Sequence, residues 1–244
     1  MEKLLKVKDL CRGTILKGIS FEMDKGEMVA IMGPSGSGKS TLLYNISGMD
    51  KPDSGEVWLR ETEITSLNEE EKADLRLRRA GFVFQQMNAL SNLNLLDNIV
   101  LPAIHAEKNK RNEYYKKAEA LMEQLHIGGL GQRMINEVSG GQLQRACICR
   151  GMIMDPEILF ADEPTGALNQ AAAKEVMEAF LKLNREGTSV LMVTHDLKTA
   201  ALSERILYIL DGELKGELML GRPGSGSNTE RERKTSEWLE KMGW

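Results

Sequence analysis

The sequence feature that most constrains the fold of this chain is a glycine-rich stretch at residues 33–41. It reads Gly-Pro-Ser-Gly-Ser-Gly-Lys-Ser-Thr, which fits the pattern G-x-x-x-x-G-K-S/T. The apolar run at 28–32 is short enough for a buried strand, and the spacing at 42–46 suits a helix packed on a sheet. A strand, a loop and a helix in this order are the context that the pattern requires, and they predict a loop that binds phosphate groups.

The residue types in this stretch explain how it would hold a nucleotide. Its three glycines let the backbone turn tightly and approach a ligand without Cβ clashes, so successive N–H groups form a nest for anions. The positive end of the following helix faces the same place. Lys39 adds a mobile charge for the β- and γ-phosphates, and the Ser40 hydroxyl can coordinate Mg²⁺. The nucleotide-binding residues that we predict here are Gly33, Pro34, Ser35, Gly36, Ser37, Gly38, Lys39, Ser40 and Thr41.

Length and charge limit the architecture and the partners. A chain of 244 residues can form one α/β domain, or one domain with an inserted subdomain, around a large core. The formal net charge is -4 and both signs are interspersed, so the sequence indicates no surface for polyanions. We therefore expect no nucleic acid among the partners.

The cysteines and the apolar runs bear on the compartment. Cys11, Cys147 and Cys149 lack the spacing of metal ligands, and an odd number argues against a disulfide framework. Small buried thiols in a reducing cytosol are the interpretation that this pattern favours. The sequence opens with no signal-peptide pattern, and no run approaches the ~18 apolar residues of a membrane span. Work at a membrane would therefore require another chain as the anchor.

Strand and helix patterns alternate along the chain. Strands are predicted at 4–10, 15–23, 28–32, 56–59, 80–84, 157–161 and 189–193. Helices are predicted at 112–127, 139–154 and 171–185, and a capping box of Ser66 and Glu69 is expected to open a charged helix that runs through Arg79. This order predicts an α/β fold with a mainly parallel sheet covered on both faces and small antiparallel pieces near the N-terminus.

The expected domain organisation follows from the same patterns. Residues 1–220 would form one domain, with a helical insertion at about 87–154. The Gly- and Ser-rich stretch at 221–227 predicts a flexible linker. The charged tail at 228–244 has interleaved apolar residues, and two interpretations stay open: a short amphipathic helix docked on the body or on a partner, and a frayed tail.

Four further motifs accompany the phosphate-binding loop. Gln85 and His195 are single polar residues that each end a predicted strand. Ser139, Gly140, Gly141 and Gln142 form a Ser-Gly-Gly-Gln sequence that offers an anion cradle at a helix start. A hydrophobic strand that closes on the two acids Asp162 and Glu163 is the Walker B pattern. The ordered set resembles the nucleotide-binding subunit of ABC transporters over about residues 4–220, which implies a P-loop NTPase fold.

The resemblance implies a role in ATP hydrolysis for each residue at the γ-phosphate. Asp162 would hold Mg²⁺ beside Ser40, and Gln85 would contact Mg²⁺ or the attacking water. Glu163 would orient or deprotonate that water, and His195 would bond the γ-phosphate. Such groups suit phosphoryl transfer, which depends mainly on positioning and charge stabilisation. The resemblance thus assigns the catalytic residues as Glu163, His195, Gln85 and Lys39, and the metal ligands as Ser40, Gln85 and Asp162.

The resemblance also implies a dimer of this chain. In the family, the cradle at Ser139–Gln142 serves the ATP that is bound to the opposite subunit's phosphate-binding loop. Each site would therefore be completed only across a head-to-tail pair. ATP would hold the two copies together, and hydrolysis would release them.

Two positions depart from the family's pattern. Most members carry an aromatic residue after the first strand, which stacks on adenine, whereas this chain reads Leu-Cys-Arg-Gly at 10–13. Arg12 would be left to contact the base, so the preference for ATP over GTP stays open. After the Walker B strand, Asn169 stands where the family commonly has Asp. It keeps hydrogen bonding but lacks the charge, so coupling between the two sites could differ.

Longer runs of sequence resemble one subgroup, the lipoprotein-release, macrolide-export and antimicrobial-peptide-resistance type. These runs are 33–43, 81–86 and 161–169, and the tail at 238–244 is similar to the peptide-resistance branch. The resemblance implies an ATPase bound peripherally, through a separate permease of the FtsX-like type, to the cytoplasmic face of the membrane. The pair would export or remove antimicrobial peptides or other amphiphiles.

Other functions share these motifs. The first alternative is a non-transport regulator that acts on cell-wall processes through a membrane partner, as in cell-division relatives, and the sequence separates it poorly from a transporter. A DNA-repair ATPase would need a long coiled coil at the insertion, and a ribosome-bound one usually has two such domains in one chain. This chain has no such coiled-coil pattern and a single phosphate-binding loop, which disfavours both.

Overall fold

The computed structural model describes residues 2–223 and 227–244. The chain divides into two compact units: the first unit holds Met1–Lys72 and Asn184–Trp244, and the second unit holds Ala73–Leu183. The linker predicted at 221–227 is described only in part, because residues 224–226 lie outside the described residues.

The strands and helices are numbered in chain order. The strands are β1 (Lys3–Arg12), β2 (Leu16–Asp24), β3 (Met28–Met32), β4 (Ser54–Leu59), β5 (Thr62–Glu63), β6 (Ala80–Phe84), β7 (Ile158–Asp162), β8 (Ser189–Val193), β9 (Arg205–Leu210) and β10 (Glu213–Met219). The α-helices are α1 (Lys39–Ile46), α2 (Glu69–Arg78), α3 (Leu95–Ala106), α4 (Arg111–Gln124), α5 (Gly140–Met152), α6 (Gln170–Arg185), α7 (Leu197–Ala200) and α8 (Asn228–Lys241).

The first unit contains two groups of paired strands. One is an antiparallel sheet in the order β2-β1-β4-β5. In the other, β3 lies between β8 and β9 and is parallel to both, and β10 pairs antiparallel with β9. Every residue of β3 and β8 is buried, as expected for strands covered on both faces. The phosphate-binding loop therefore starts from the centre of a rigid set of strands.

The second unit combines two parallel strands with helices. β6 pairs with β7 in a parallel register that joins Ala80 to Ile158 and Phe84 to Asp162. The helices α3, α4 and α5 contact one another, and α5 also packs on β6. The carboxyl ends of β6 and β7 lie at one edge, which is where the predicted Gln85 and Glu163 follow.

Several expectations from the sequence are confirmed. The apolar runs predicted as strands at 28–32, 80–84, 157–161 and 189–193 are β3, β6, β7 and β8, to within one residue. Their pairings are parallel, and the antiparallel pieces lie near the N-terminus. In the tail, α8 packs within the first unit through Leu239, Trp238 and Met242.

Three local expectations differ from the structure. The capping box of Ser66 and Glu69 is wrong: the reciprocal bonds join Asn68 to Glu71, with backbone N–H groups donating to side-chain oxygens at 2.9 and 3.0 Å. Ser66 instead lies in a 3-10 turn, where its hydroxyl donates to the carbonyl of Glu63. The box thus lies two residues further along the chain, which is possible because Asn caps helices as well as Ser does.

The other two differences are the end of one helix and a pair of strands. α4 ends at Gln124, and His126 adopts the left-handed conformation with φ of +58°, so the helix stops before Gly128 and Gly129. The strands β9 and β10 were not predicted, although residues 206–209 within β9 are a run of buried apolar residues of strand length. β9 matters for the site because it lies beside the phosphate-binding loop.

Candidate nucleotide-binding site

The phosphate-binding loop leaves β3 through a glycine that no other residue could replace. Gly33 has φ of +153°, and a Cβ there would lie 2.0 Å from the carbonyl oxygen of Ile209 in β9. The loop ends at Gly38, which is the N-cap of α1 and has φ of +99°, in the left-handed region. Backbone geometry of this kind turns N–H groups toward one point, as an anion nest requires.

Lys39 is held over this loop rather than extended into solvent. Its Nζ donates hydrogen bonds of 2.8 Å to the carbonyl oxygens of both Gly33 and Pro34, and only 7% of the residue is exposed. Behind the loop, Gly212 in the β9–β10 turn donates its N–H to the carbonyl of Ser37 at 3.2 Å. The positive charge is thus placed at the nest before any phosphate binds.

His195 leaves the same edge of the first unit as the phosphate-binding loop. β3 and β8 pair in parallel with Ile31 opposite Val193, and the N–H of Thr194 donates to the carbonyl of Ile31 at 3.1 Å. One residue further, His195 is exposed. Asp196 then caps α7, because its carboxylate accepts from the backbone N–H and the hydroxyl of Thr199. The structure therefore brings His195 and Gly33 to neighbouring strand ends.

In the second unit, Gln85, Asp162 and Glu163 converge. The register places Phe84 opposite Asp162, so Gln85 and Glu163 follow at adjacent strand ends. A Cβ on Gly166 would lie 2.9 Å from Nε2 of Gln85 and 3.2 Å from Oε2 of Glu163, so both side chains border one small space. Asp162 is 8% exposed. An amide and two carboxylates at one edge are the groups expected for binding a cation and a water molecule.

Glu163 has a strained backbone. Its φ is +46°, in the left-handed region, which a residue with a long side chain rarely occupies. A conformation of this kind costs of order 1–3 kcal/mol and persists where the surrounding structure fixes it, often at active sites. The buried residues Asp162 and Pro164 on either side of Glu163 supply that constraint.

The Ser-Gly-Gly-Gln motif opens α5 as the sequence predicts. The Ser139 hydroxyl oxygen accepts from the N–H of Gln142 at 3.3 Å, and the N–H of Ser139 donates to Oε1 of Gln142 at 2.9 Å. This reciprocal capping holds the hydroxyl oxygen at the helix N-terminus as an acceptor, so its proton is available for donation to an anion. Ser139 and Gly140 are exposed.

The two glycines of this motif have a packing role as well. A Cβ on Gly141 would lie 2.8 Å from the Cβ of Ala172 at the start of α6, and one on Gly140 would lie 3.2 Å from the side chain of Leu168. Because Ala172 has no side-chain torsion that could relieve such a contact, position 141 requires glycine. The start of α5 is thus held against the segment that follows Glu163.

The sequence did not reveal how α5 holds the segment after β6. Gln144, Cys147 and Arg150 lie three residues apart on α5, and all three donate hydrogen bonds to backbone carbonyls of that segment. Gln144 donates to Phe84 at 3.1 Å, Cys147 to Met87 at 3.3 Å, and Arg150 to Met87 and Asn88 at 2.8 and 2.9 Å. Period-three spacing of polar residues on a helix was the available signal. Gln85 therefore lies in a segment fixed to the helix that begins with Ser139.

The two departures from the family pattern have clear structural counterparts. Arg12 does not project freely, because its guanidinium pairs with Asp53 at 3.0 Å and with Asp50 at 3.1 Å. Asn169 caps α6, since its side-chain oxygen accepts from the N–H of Ala172 at 2.9 Å. An Asn just before a helix is a capping signal, so its hydrogen bonding has a structural use in this chain.

The cysteines are thiols without a catalytic environment. Cys147 and Cys149 are buried and Cys11 is half-buried, and all three are free. Burial raises the pKa of both the Cys147 and Cys149 thiols, which disfavours the thiolate form that reacts.

The donor set fits Mg²⁺ better than a metal with a full protein cage. Among the described residues, no group of three or more His, Cys, Asp or Glu side chains is placed to hold a metal ion. Mg²⁺ usually takes one or two carboxylates together with substrate phosphates and water. In the second unit, Gln85 and Asp162 offer oxygen atoms of that kind.

These features together define a class of protein. A glycine-rich loop between a buried parallel strand and a helix, with a lysine over its nest, is the geometry of P-loop nucleotide-binding proteins. In the part of the chain that the structure describes, we find no helix long and apolar enough to cross a membrane.

Comparisons with known proteins define the class more narrowly. A profile of the ABC transporter family matches residues 16–166. The chain is 45% identical over 213 residues to the lipoprotein-releasing system ATP-binding protein LolD of Aquifex aeolicus, which covers 87% of this chain and 95% of that protein. It is 43% identical over 215 residues to the macrolide export ATP-binding/permease protein MacB of Campylobacter jejuni, covering 86% of this chain but only 33% of that protein.

A solved structure agrees with these relatives. An ATP-binding cassette, determined as a dimer in a post-hydrolysis state with ADP and Pi bound, has a TM-score of 0.81 and 36% identity to this chain, and the match covers 89% of this chain and 99% of that one. The chain therefore belongs to the ABC transporter family, as an ATP-binding subunit that hydrolyses ATP. The predicted family, fold class and ATPase activity are confirmed.

Proposed function

We propose that this chain is the ATPase of a transporter in which a separate, FtsX-like permease exports or removes antimicrobial peptides or other amphiphiles. The observation that carries the proposal is the 45% identity to LolD, which spans 95% of that lipoprotein-releasing ATP-binding protein. The 43% identity to MacB adds a second relative whose name denotes macrolide export, although this chain spans about a third of its length. The chain would then act at the cytoplasmic face of the membrane, held there by its permease.

The proposed hydrolysis site uses each group according to its chemistry. Lys39 and the loop N–H groups would bind the β- and γ-phosphates, and Ser40, Gln85 and Asp162 would hold Mg²⁺, which would supply charge neutralisation at those phosphates. Glu163 would orient the water and take its proton as the water oxygen bonds to the γ-phosphorus, while the bond from that phosphorus to the β–γ bridging oxygen breaks and ADP leaves. His195 donates a hydrogen bond to the γ-phosphate and so distinguishes ATP from ADP.

The proposed active form is a pair of chains. Ser139, Gly140, Gly141 and Gln142 of one copy would bind the γ-phosphate of ATP held by the loop of the other copy. The outward Ser139 hydroxyl and the helix N-terminus are suited to an anion, and a dimeric relative with ADP and Pi supports the assembly.

A groove in the second unit is the proposed docking site for the permease. It has a volume of about 310 Å³, and the residues that line it include Leu77, Phe82, Phe84, Asn88 and Pro102. Phe84 and Asn88 flank Gln85, so a permease segment seated there would contact the part of the chain that leads into the hydrolysis site. An apolar groove with few polar groups suits a short amphipathic segment.

The decisive experiment is isolation of the complex from membranes. The full chain, carrying an affinity tag, is purified in mild detergent, and the co-purifying polypeptides are identified. We expect one integral membrane protein in stoichiometric amount, and loss of the pair should make cells sensitive to antimicrobial peptides. Recovery of the chain without any membrane protein would contradict the proposal. A division defect with normal peptide resistance would replace it with the cell-wall regulator.

A further inference from the structure

The C-terminal helix is fastened to the first unit by one buried arginine. Arg231 in α8 is 3% exposed. Its Nε donates to the carbonyl of Ala201 at 2.8 Å, and Nη2 donates to that of Ser203 at 2.6 Å. Nη1 bonds the carbonyls of Leu220, Gly221 and Arg222 at 3.0, 3.1 and 3.4 Å. All of its partners are backbone oxygens in two segments that are far apart in sequence.

Such an arrangement needs a guanidinium group. A buried charge is costly to desolvate unless hydrogen bonds compensate for the lost water, and these five carbonyl oxygens do so. Arg carries five N–H donors in a fixed plane, whereas Lys carries three on one nitrogen. Arg231 can therefore bind the end of α7 and the end of β10 at the same time.

The segment that Arg231 holds is the one that carries His195. α7 is only four residues long, and isolated helices shorter than about 12 residues are marginal in water, so α7 depends on its surroundings. Asp196 caps its start and directly follows His195. Ala201 is its C-cap, and this is the residue whose carbonyl Arg231 binds. His195 is thus fixed by β8 on one side and by α7 with Arg231 on the other.

The apolar face of α8 reaches the same region. Leu239 belongs to a buried cluster with Ala200 of α7, Tyr208 of β9 and Met32 of β3, and Trp238 and Met242 pack against it. Met32 directly precedes Gly33. One helix therefore supports both the strand that leads into the phosphate-binding loop and the short helix after His195.

We propose that Arg231 is a positioning residue for ATP hydrolysis, which sets the place of His195 relative to the γ-phosphate through α7. This inference rests on the role proposed for His195. Because Arg231 lies in α8, the position of His195 would depend on the C-terminal tail. Displacement of α8 would therefore lower turnover without removing any group that touches ATP.

The test compares Arg231→Met with Arg233→Met in the full chain. Arg233 is an exposed residue of the same helix, paired with Glu237, and is the matched control. At temperatures well below the unfolding transition, we expect Arg231→Met to lower kcat at least ten-fold, with KM for ATP within two-fold of the parent, and Arg233→Met to change neither. A purely structural role for Arg231 would lower Tm and leave kcat unchanged, which would overturn the proposal.

A double-mutant cycle with His195→Ala shows whether the effect passes through His195. We expect Arg231→Met to lower kcat no further in the His195→Ala background. An equal fold-loss in both backgrounds would overturn the proposal. If His195→Ala itself leaves kcat unchanged, the role proposed for His195 fails; if it lowers kcat while Arg231→Met does not, only the present inference fails. Should Arg231→Met not fold, Arg231→Lys enters the same cycle, with a smaller loss of kcat expected.

Discussion

At the scale of single residues, Glu163, the proposed catalytic carboxylate, has a strained backbone. Glu163 follows a buried strand, adopts φ of +46°, and shares a small space with Gln85 beside Gly166. The carboxylate lies beside Gly166, in the turn that follows Glu163. A site that needs one carboxylate in one place can use a conformation that would be disfavoured elsewhere.

The role of Glu163 is tested by Glu163→Gln. The amide keeps the shape of the side chain but cannot take a proton, so we expect the rate of phosphate release to fall by about 10²-fold or more. ATP should still bind, and the closed pair of chains should accumulate, which size-exclusion chromatography with ATP would detect. Glu178→Gln, at an exposed position of α6, is the control. Turnover near that of the parent would remove Glu163 from the role of base.

The strain at Glu163 is tested separately, by stability. Without a Cβ, glycine adopts the left-handed conformation freely, whereas alanine pays the same steric penalty as glutamate. We expect the free energy of unfolding of Glu163→Gly to exceed that of Glu163→Ala by about 1 kcal/mol. Glu163→Gly should therefore unfold at a higher denaturant concentration. Both variants should lack hydrolysis. Equal stability of the two would show that the backbone at position 163 is not strained.

At the scale of elements, α5 joins two parts of the site. It begins with the capped Ser139 and, further along, binds the carbonyls of Phe84, Met87 and Asn88 through Gln144, Cys147 and Arg150. Gln85 lies inside the segment so held. The anion cradle and the segment after β6 are thereby parts of one body within the second unit.

Arg150→Met should release the segment after Gln85. The variant removes two hydrogen bonds to the carbonyls of Met87 and Asn88 but keeps the apolar part of the side chain. We expect faster amide hydrogen exchange in peptides that span 85–90, and a several-fold lower kcat with little change in ATP binding. Arg133→Met, at an exposed position before α5, is the control. Unchanged hydrogen exchange would mean that Gln144 and Cys147 are enough to hold the segment after β6.

Elements also show what the sequence could predict and what it could not. The runs at 28–32 and 158–162 are identifiable because strands covered on both faces are continuously apolar. The capping box shifted to Asn68 and Glu71 because Asn and Ser are equally good caps. The partners of Arg150 and Arg231 could not be predicted, because they are backbone carbonyls, which leave no pattern in the sequence. For Arg150, the sequence offered only the three-residue spacing from Gln144 and Cys147 on one helix.

At the scale of the whole molecule, the nucleotide-binding motifs of one chain are divided between its two units. The phosphate-binding loop and His195 lie in the first unit, and the Ser139 motif lies in the second unit. The Ser139 hydroxyl is exposed and oriented by capping, although the chain has its own anion nest at Gly33–Gly38. A second anion site on the surface is explained if it serves the nucleotide of another copy.

The shared site makes a sharp prediction for mixtures of inactive variants. Lys39→Ala should weaken ATP binding at least ten-fold, because a charge-assisted bond to phosphate contributes about 1.5–3 kcal/mol. Ser139→Phe should block the cradle. Each pure variant is expected to be inactive, since both sites of its dimer carry the defect. In a mixed dimer, one site carries both defects and the other carries neither. An equal mixture should therefore regain about a quarter of the parent's activity if exchange is random and one intact site can turn over.

Control mixtures of each variant with the parent chain distinguish two properties of the dimer: whether each site is shared between two chains, and whether both sites must be intact for turnover. If one intact site suffices, adding either variant to the parent should reduce activity only in proportion to the sites that are lost. If both sites must hydrolyse ATP together, either variant should lower the activity of the parent by more than the fraction of sites lost. The mixture of variants should then stay inactive. Proportional behaviour with the parent, combined with no recovery in the mixture of variants, would mean that each site lies within one chain, since only shared sites become intact when defective copies exchange.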